Sequence, residues 1–218
     1  MTAFREDFRE ILRLVRPGAR VLDVGCNEGA LLDLLHREKG VDGRGLEFSS
    51  DGVAACLAKG LSVMLGDTDR DLAEFPAGSF DYAILSQTLQ AVREPRAVLS
   101  RLLSLADRAI VSFPNFGYWR VRLSFLARGR MPETRALPEP WWATSNIHLC
   151  TVRDFTALCA DLDLRIEAAT ALEQGRPARP MNPDGVLENW RAETALFLLS
   201  RRTAPAGARR GGEDDLFG

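Results

Sequence analysis

The sequence predicts an α/β fold built on a mostly parallel sheet. Three observations carry this. Short apolar runs alternate with helical-period segments from Arg20 to Phe113, the signature of parallel strands covered on both faces. Glycines such as Gly40 and Gly60 stand where helical patterns end. At 218 residues and 46% hydrophobic, the chain can fill a sizeable core.

The elements follow in order. Phe4, Phe8, Ile11, Leu12 and Val15 form one apolar stripe at helical spacing, closed by Pro17-Gly18. Arg20 to Val24 reads as a buried strand, followed by the tight polar turn Gly25-Cys26-Asn27-Glu28-Gly29. Ala30 to Lys39 is helical, with Leu31, Leu32, Leu34 and Leu35 turned inward. Strands over 43–48 and 61–65 flank a helix over 51–59. After a polar connection come a strand over 80–86, a helix over 95–106 led by Pro95, and a strand over 108–113.

At Pro114 the rhythm breaks. Residues 114–150 hold three of the four tryptophans and four prolines. A helix is expected near 118–126 and an irregular stretch after it. Thr151 is placed to cap a helix over 151–161. Strands over 164–169 and 194–200 bring the total to seven, joined by a polar loop containing Pro177, Pro180 and Pro183. The expected organisation is one domain over 1–202 with an insertion at 114–150, then a disordered tail over 203–218.

Composition excludes several classes. With 28 basic and 30 acidic residues the net charge is −2, without the basic excess of a nucleic-acid binder. No apolar stretch approaches a membrane span, and Met1 to Glu10 lacks the apolar core of a secretory leader. Four cysteines without CxxC spacing read as reduced thiols in a cytoplasmic protein. Two histidines, His36 and His148, are too few for a histidine-based metal cluster, so no metal site is expected.

The chemistry concentrates on one sheet edge. Gly25 and Gly29 let the backbone turn and approach a ligand, a weak signal alone. Three acids sharpen it: Asp23 ends the first strand, Glu47 the second, and Asp67 follows the third. An acid after strand two suits ribose hydroxyls. Asp67 could accept from an adenine amine, and Asp23 would sit beside a cation. A dinucleotide would bring its pyrophosphate to Asp23, whereas S-adenosylmethionine offers ribose, adenine, ammonium and sulfonium without phosphate. Each acid alone could equally be a helix cap or a solvated turn residue.

Asp23-x-Gly25-x-Asn27-x-Gly29, Glu47, Gly66-Asp67 and Phe80-Asp81 resemble the motifs of class I S-adenosylmethionine-dependent methyltransferases over about residues 15–170. The resemblance implies a Rossmann-like seven-stranded sheet in order 3-2-1-4-5-7-6, its last strand antiparallel. It implies a site for S-adenosylmethionine or S-adenosylhomocysteine at Asp23, Gly25, Cys26, Asn27, Gly29, Glu47, Phe48, Asp67 and Ser86. Asn27 replaces the usual middle glycine. Asparagine tolerates a left-handed backbone but adds bulk beside the ligand.

Longer strings, Ser86-Gln87-Thr88-Leu89-Gln90-Ala91, Val111 to Gly117, Gly129 to Pro132 and Asn146 to Thr151, look like the MetW family of methionine biosynthesis. That resemblance implies a partnership with a homoserine O-acetyltransferase or O-succinyltransferase, with or without methyl transfer. His148 is the one imidazole near the ligand edge, either a base or a structural histidine that bonds the insertion. Cys26 is a reactive thiol or a small filler. Trp119, Trp141 and Trp142 are core residues, a lid or a partner surface.

Overall fold

The computed structural model describes residues 5–134, 137–173 and 175–202. Phe4 and the 203–218 tail lie outside the described residues. Eight strands form one sheet: β1 (Arg20–Val24), β2 (Asp42–Glu47), β3 (Val63–Leu65), β4 (Phe80–Ser86), β5 (Ala106–Pro114), β6 (Leu164–Leu172), β7 (Arg179–Pro180) and β8 (Thr194–Arg201). Their order is β3-β2-β1-β4-β5-β8-β6-β7. The first five pair in parallel, and β8 runs antiparallel between β5 and β6.

Set β7 aside and this is the expected order. The expected count of seven is corrected to eight, because Arg179 and Pro180 pair with Ala171 and Thr170 at the sheet's edge. Two residues carry no readable alternation, and a proline in so short a run argues against a strand.

The helices are α1 (Glu6–Leu14), α2 (Ala30–Lys39), α3 (Ser50–Ala58), α4 (Thr68–Asp71), α5 (Pro95–Leu105), α6 (Trp119–Arg128), α7 (Val152–Asp161) and α8 (Val186–Arg191). Gly40 ends α2 in the left-handed conformation, and Thr151 caps α7 in a reciprocal box with Asp154. Neither α4 nor α8 was expected from the sequence. Both are under two turns, too short for an apolar period to show.

Alternation along β1 splits the core between two faces. Leu22 and Val24 join the cluster under α5 and α7; Val21 joins the one under α1 and α2. Asp23 shares a face with Val21, which turns it toward α1. That helix buries Ile11 on its apolar stripe, and it also buries Asp7 and Glu10. The stripe placed α1 against the sheet; the buried acids were not foreseen.

Candidate functional site

The turn after β1 is built from three left-handed residues, Gly25 at φ 71°, Asn27 at 51° and Gly29 at 74°. Gly25 and Cys26 donate their amides to the Leu46 carbonyl at 2.8 and 3.3 Å, pinning the turn to β2. A Cβ on Gly25 would stand 2.6 Å from the Thr88 side chain; one on Gly29 would stand 2.8 Å from Cys56 Sγ. Glycine is therefore required at both positions for space as well as for φ. Gly52, in the first turn of α3, seats the turn in the same way, since a Cβ there would lie 3.0 Å from Glu47 Cγ and 3.1 Å from the Asn27 carbonyl.

The three acids all reach the carboxyl edge of the sheet, in different surroundings. Glu47 is half-buried and oriented by two amides: Oε2 accepts from Asn27 at 2.7 Å and Oε1 from Ser49 at 2.8 Å. Each oxygen keeps a lone pair for a hydroxyl. Asp67 caps α4, accepting from the Asp69 amide at 2.9 Å. Asp23 is 2% exposed, and burial pushes its carboxyl up to about 7. Arg5 opposes that rise, while Asp7 and Glu47 add to it.

A cleft of about 510 Å³ opens over the turn. Asp23, Gly25, Cys26, Asn27 and Ser86 line it, together with Arg5 and Phe8 of the chain's start. Gly29, Glu47, Phe48 and Asp67 fall outside the lining and continue the same edge. Glu47 is joined to it through the Asn27 amide, and Gly66, beside Asp67, through the Glu47 carbonyl at 2.9 Å. Phe48 is 76% exposed beside Glu47.

Sequence reading missed the wall on the other side. Asp7, 3% exposed, accepts from Ser86 and Ser112 hydroxyls at 2.8 and 3.0 Å and from Arg5 at 2.7 Å. Its only trace in the sequence is an acid on the inner face of an otherwise apolar helix stripe.

The remaining candidates are placed as follows. Cys26 is 6% exposed, and its thiol is pushed well above the ordinary range, chiefly by burial. That makes it a filler between Gly45 and the turn, not a thiolate. His148 is exposed, and its Nε2 lies 3.0 Å from the Arg93 carbonyl while its amide donates to the Gln90 carbonyl. Trp119 is half-buried against Tyr118, whereas Trp141 and Trp142 are 70% and 73% exposed. Among the described residues no cluster of His, Cys, Asp and Glu could hold a metal ion. None of the described helices is long and apolar enough to cross a membrane.

Asp23 in the lining, with Glu47 and Asp67 farther along the same edge, supplies acceptors suited to the ammonium, hydroxyl and amine groups of an adenosyl ligand.

The model of the methionine biosynthesis protein MetW matches residues 5–199. The chain belongs to the MetW family. The chain is 32% identical over 206 residues to a bifunctional methionine biosynthesis protein, MetXA/MetW, of Rhodopirellula baltica. The match covers 89% of this chain and 32% of the relative, so the chain spans about a third of that relative's length. A SAM-dependent methyltransferase from Thermotoga maritima shares the fold at TM-score 0.66 and 13% identity, over 91% of this chain and 90% of that one. So does the [4+2]-cyclase SpnF, at TM-score 0.61 and 13% identity, over 90% and 81%. A cyclase on the same scaffold illustrates that the MetW fold does not by itself fix a reaction.

Proposed function

We propose that the cleft binds S-adenosylmethionine or S-adenosylhomocysteine, and that the protein serves methionine biosynthesis as an accessory subunit of a homoserine O-acyltransferase. The placement of the acids carries the ligand reading. Glu47, held by two amides, takes the ribose hydroxyls. Asp67 takes the adenine amine, with Phe48 beside the base and Ser86 at the far wall. Asp23 faces the cationic end, and the Gly25–Gly29 turn lets the ligand approach the backbone. S-adenosylmethionine supplies an electrophilic methyl group when bound.

The accessory role is supported by two further features. The imidazole of His148 is taken up by the Arg93 carbonyl and lies away from the cleft lining. A relative also joins a MetXA part and a MetW part in one chain. The insertion, with Trp141 and Trp142 exposed, is the proposed acyltransferase surface.

Calorimetric titration with both adenosyl ligands, combined with a pull-down of the acyltransferase and a methyl-transfer assay on the complex, tests the proposal. Binding and capture without turnover are the expected results. Methyl transfer to a small acceptor in the absence of the acyltransferase would replace the accessory role with an enzymatic one.

A further inference from the structure

A second cleft, of about 320 Å³, lies between α6, α7 and α8 and shares no lining residue with the first. Val186, Leu187 and Trp190 of α8 line it, 73%, 64% and 47% exposed. Three large apolar side chains on one six-residue helix are thus left facing water, a cluster that marks a binding surface. Arg122 of α6 and Arg153 of α7 stand beside them in the lining. Arg122 is held in place: its Nε donates to the Gly117 carbonyl at 2.6 Å, and its Cζ lies 5.4 Å from the centre of the Trp190 ring. Both Nη groups of Arg122, and the whole Arg153 guanidinium, lack an acceptor among the described residues. The acids of α8 and of the first turn of α7 are engaged elsewhere, Glu188 with Arg179 at 2.6 Å and Asp154 in the cap with Thr151. The cleft therefore joins two available cations to an apolar patch, the complement of a peptide that carries acids next to large apolar residues.

The sequence itself contains such a segment. Glu213-Asp214-Asp215-Leu216-Phe217 holds the one run of three successive acids in the chain, and two large apolar residues follow it directly. The connection is long enough. Arg202, the last described residue, donates its amide to the Asp163 carbonyl at 3.4 Å and pairs with the Asp163 carboxylate at 3.6 Å, just past the end of α7. Arg153 stands in the first turn of that same helix, so the cleft lies about 15 Å back along α7, at ~1.5 Å per residue. The ten residues from Thr203 to Gly212 span up to about 33 Å. We propose that the 213–217 segment docks in this cleft of its own chain, its acids on Arg122 and Arg153, and Leu216 and Phe217 against Val186, Leu187 and Trp190. Docked there, it covers apolar side chains that the fold otherwise leaves bare.

The test uses the full chain and a fluorescent peptide of residues 209–218, followed by anisotropy. In one variant the segment is erased by Glu213→Ser, Asp214→Ser, Asp215→Ser, Leu216→Ser and Phe217→Ser together. That variant should bind the peptide. The native chain should bind it about tenfold more weakly, because its own tethered segment competes at about millimolar effective concentration. Adding Arg153→Glu or Leu187→Ser to the erased variant should weaken the peptide about tenfold; both side chains are exposed, so the fold should survive. No binding to the erased variant overturns the site. Equal binding to native and erased chains overturns the occupant and leaves the cleft to some other acidic peptide. Undiminished binding in both Arg153→Glu and Leu187→Ser places the peptide elsewhere and overturns the proposal. A native chain that sediments as a dimer, and as a monomer once the segment is erased, assigns the segment to a second copy and overturns docking within one chain. Should a cleft variant melt out, the other one and the comparison of native with erased chain still decide.

Discussion

The β1–α2 turn and the 114–150 segment both leave the carboxyl end of the sheet, yet they hold their shapes by different means. The turn is local: three left-handed residues within five positions, pinned to the neighbouring strand. The 114–150 segment is tied down from afar by two buried amides. Gln90, 1% exposed, donates its side-chain amide to the Pro114 carbonyl at 3.1 Å and to Cys150 Sγ at 3.4 Å, and its backbone carbonyl accepts the Ile147 and His148 amides. Asn115, also 1% exposed, donates to the Asn189 and Ala192 carbonyls and accepts from the Gly117 and Val152 amides. A short glycine string can specify the first kind of structure. The second needs partners up to 77 residues away.

The largest expected effect breaks the distant network. Asn115→Ala leaves two carbonyls and two amides without their buried partner. Each such loss costs about 1–3 kcal/mol, tempered by relaxation, so the total should be about 4 kcal/mol or more. Urea denaturation reads it directly. A loss below about 1 kcal/mol would mean that the segment is held by its apolar contacts instead.

On the turn's side, Asp23→Asn should stabilise the ligand-free protein. In the unfolded chain Asp23 ionises near 3.8, in the fold near 7. Between those values the unfolded state binds fewer protons, so native stability falls as pH rises from about 4 to about 7. Removing the charge removes that loss, a gain on the order of 3–4 kcal/mol at pH 8 that vanishes below pH 4. Melting curves of both proteins across pH check it. The same titration predicts weaker binding of a cationic ligand below pH 7, where Asp23 is protonated.

Two substitutions compare the regions at the level of function. Glu47→Ala removes an acceptor for charge-assisted hydrogen bonds, worth about 1.5–3 kcal/mol, and should weaken S-adenosylhomocysteine tenfold or more in calorimetry. Undiminished affinity would remove the ribose from Glu47. Trp141→Ala should leave stability within about 0.5 kcal/mol, because the ring is 70% exposed. Acyltransferase capture should fall about thirtyfold, for roughly 2 kcal/mol. Normal capture by this variant and by Trp142→Ala would move the interface off the insertion.

The two regions also differ in how much of them the sequence disclosed. The β1 and α2 boundaries, the glycines of the turn and the placing of Asp23, Glu47 and Asp67 on one edge follow from period and punctuation. The Asp7–Arg5–Ser86 wall does not, because its members come from α1 and β4, 79 residues apart. Nor does the burial of Gln90 and Asn115: an amide reads as polar surface until its carbonyl partners are known. The family-specific strings contain both amides, so their unusual composition marked the network without explaining it. Short elements such as β7 and α8 were invisible for a simpler reason, having too few residues to show a period.

The smallest expected effect sharpens the local side of the comparison. Asn27 has φ 51°, and its hydrogen bonds run through the backbone: its amide donates to Glu47, and its carbonyl accepts from Cys56 at 3.2 Å. The side chain is exposed. Asn27→Gly relieves the strain of a left-handed side chain, worth about 1 kcal/mol, but frees the unfolded chain by a similar amount. The two terms oppose each other, so denaturant midpoints should differ by less than about 0.5 kcal/mol. Asn27→Val is the control. A β-branched residue cannot adopt this φ cheaply and should cost about 1–2 kcal/mol, while loosening the Asn27 amide from Glu47 and so weakening the ribose site. If valine is tolerated as well as glycine, the turn is not locally encoded, and it is held from a distance as the insertion is.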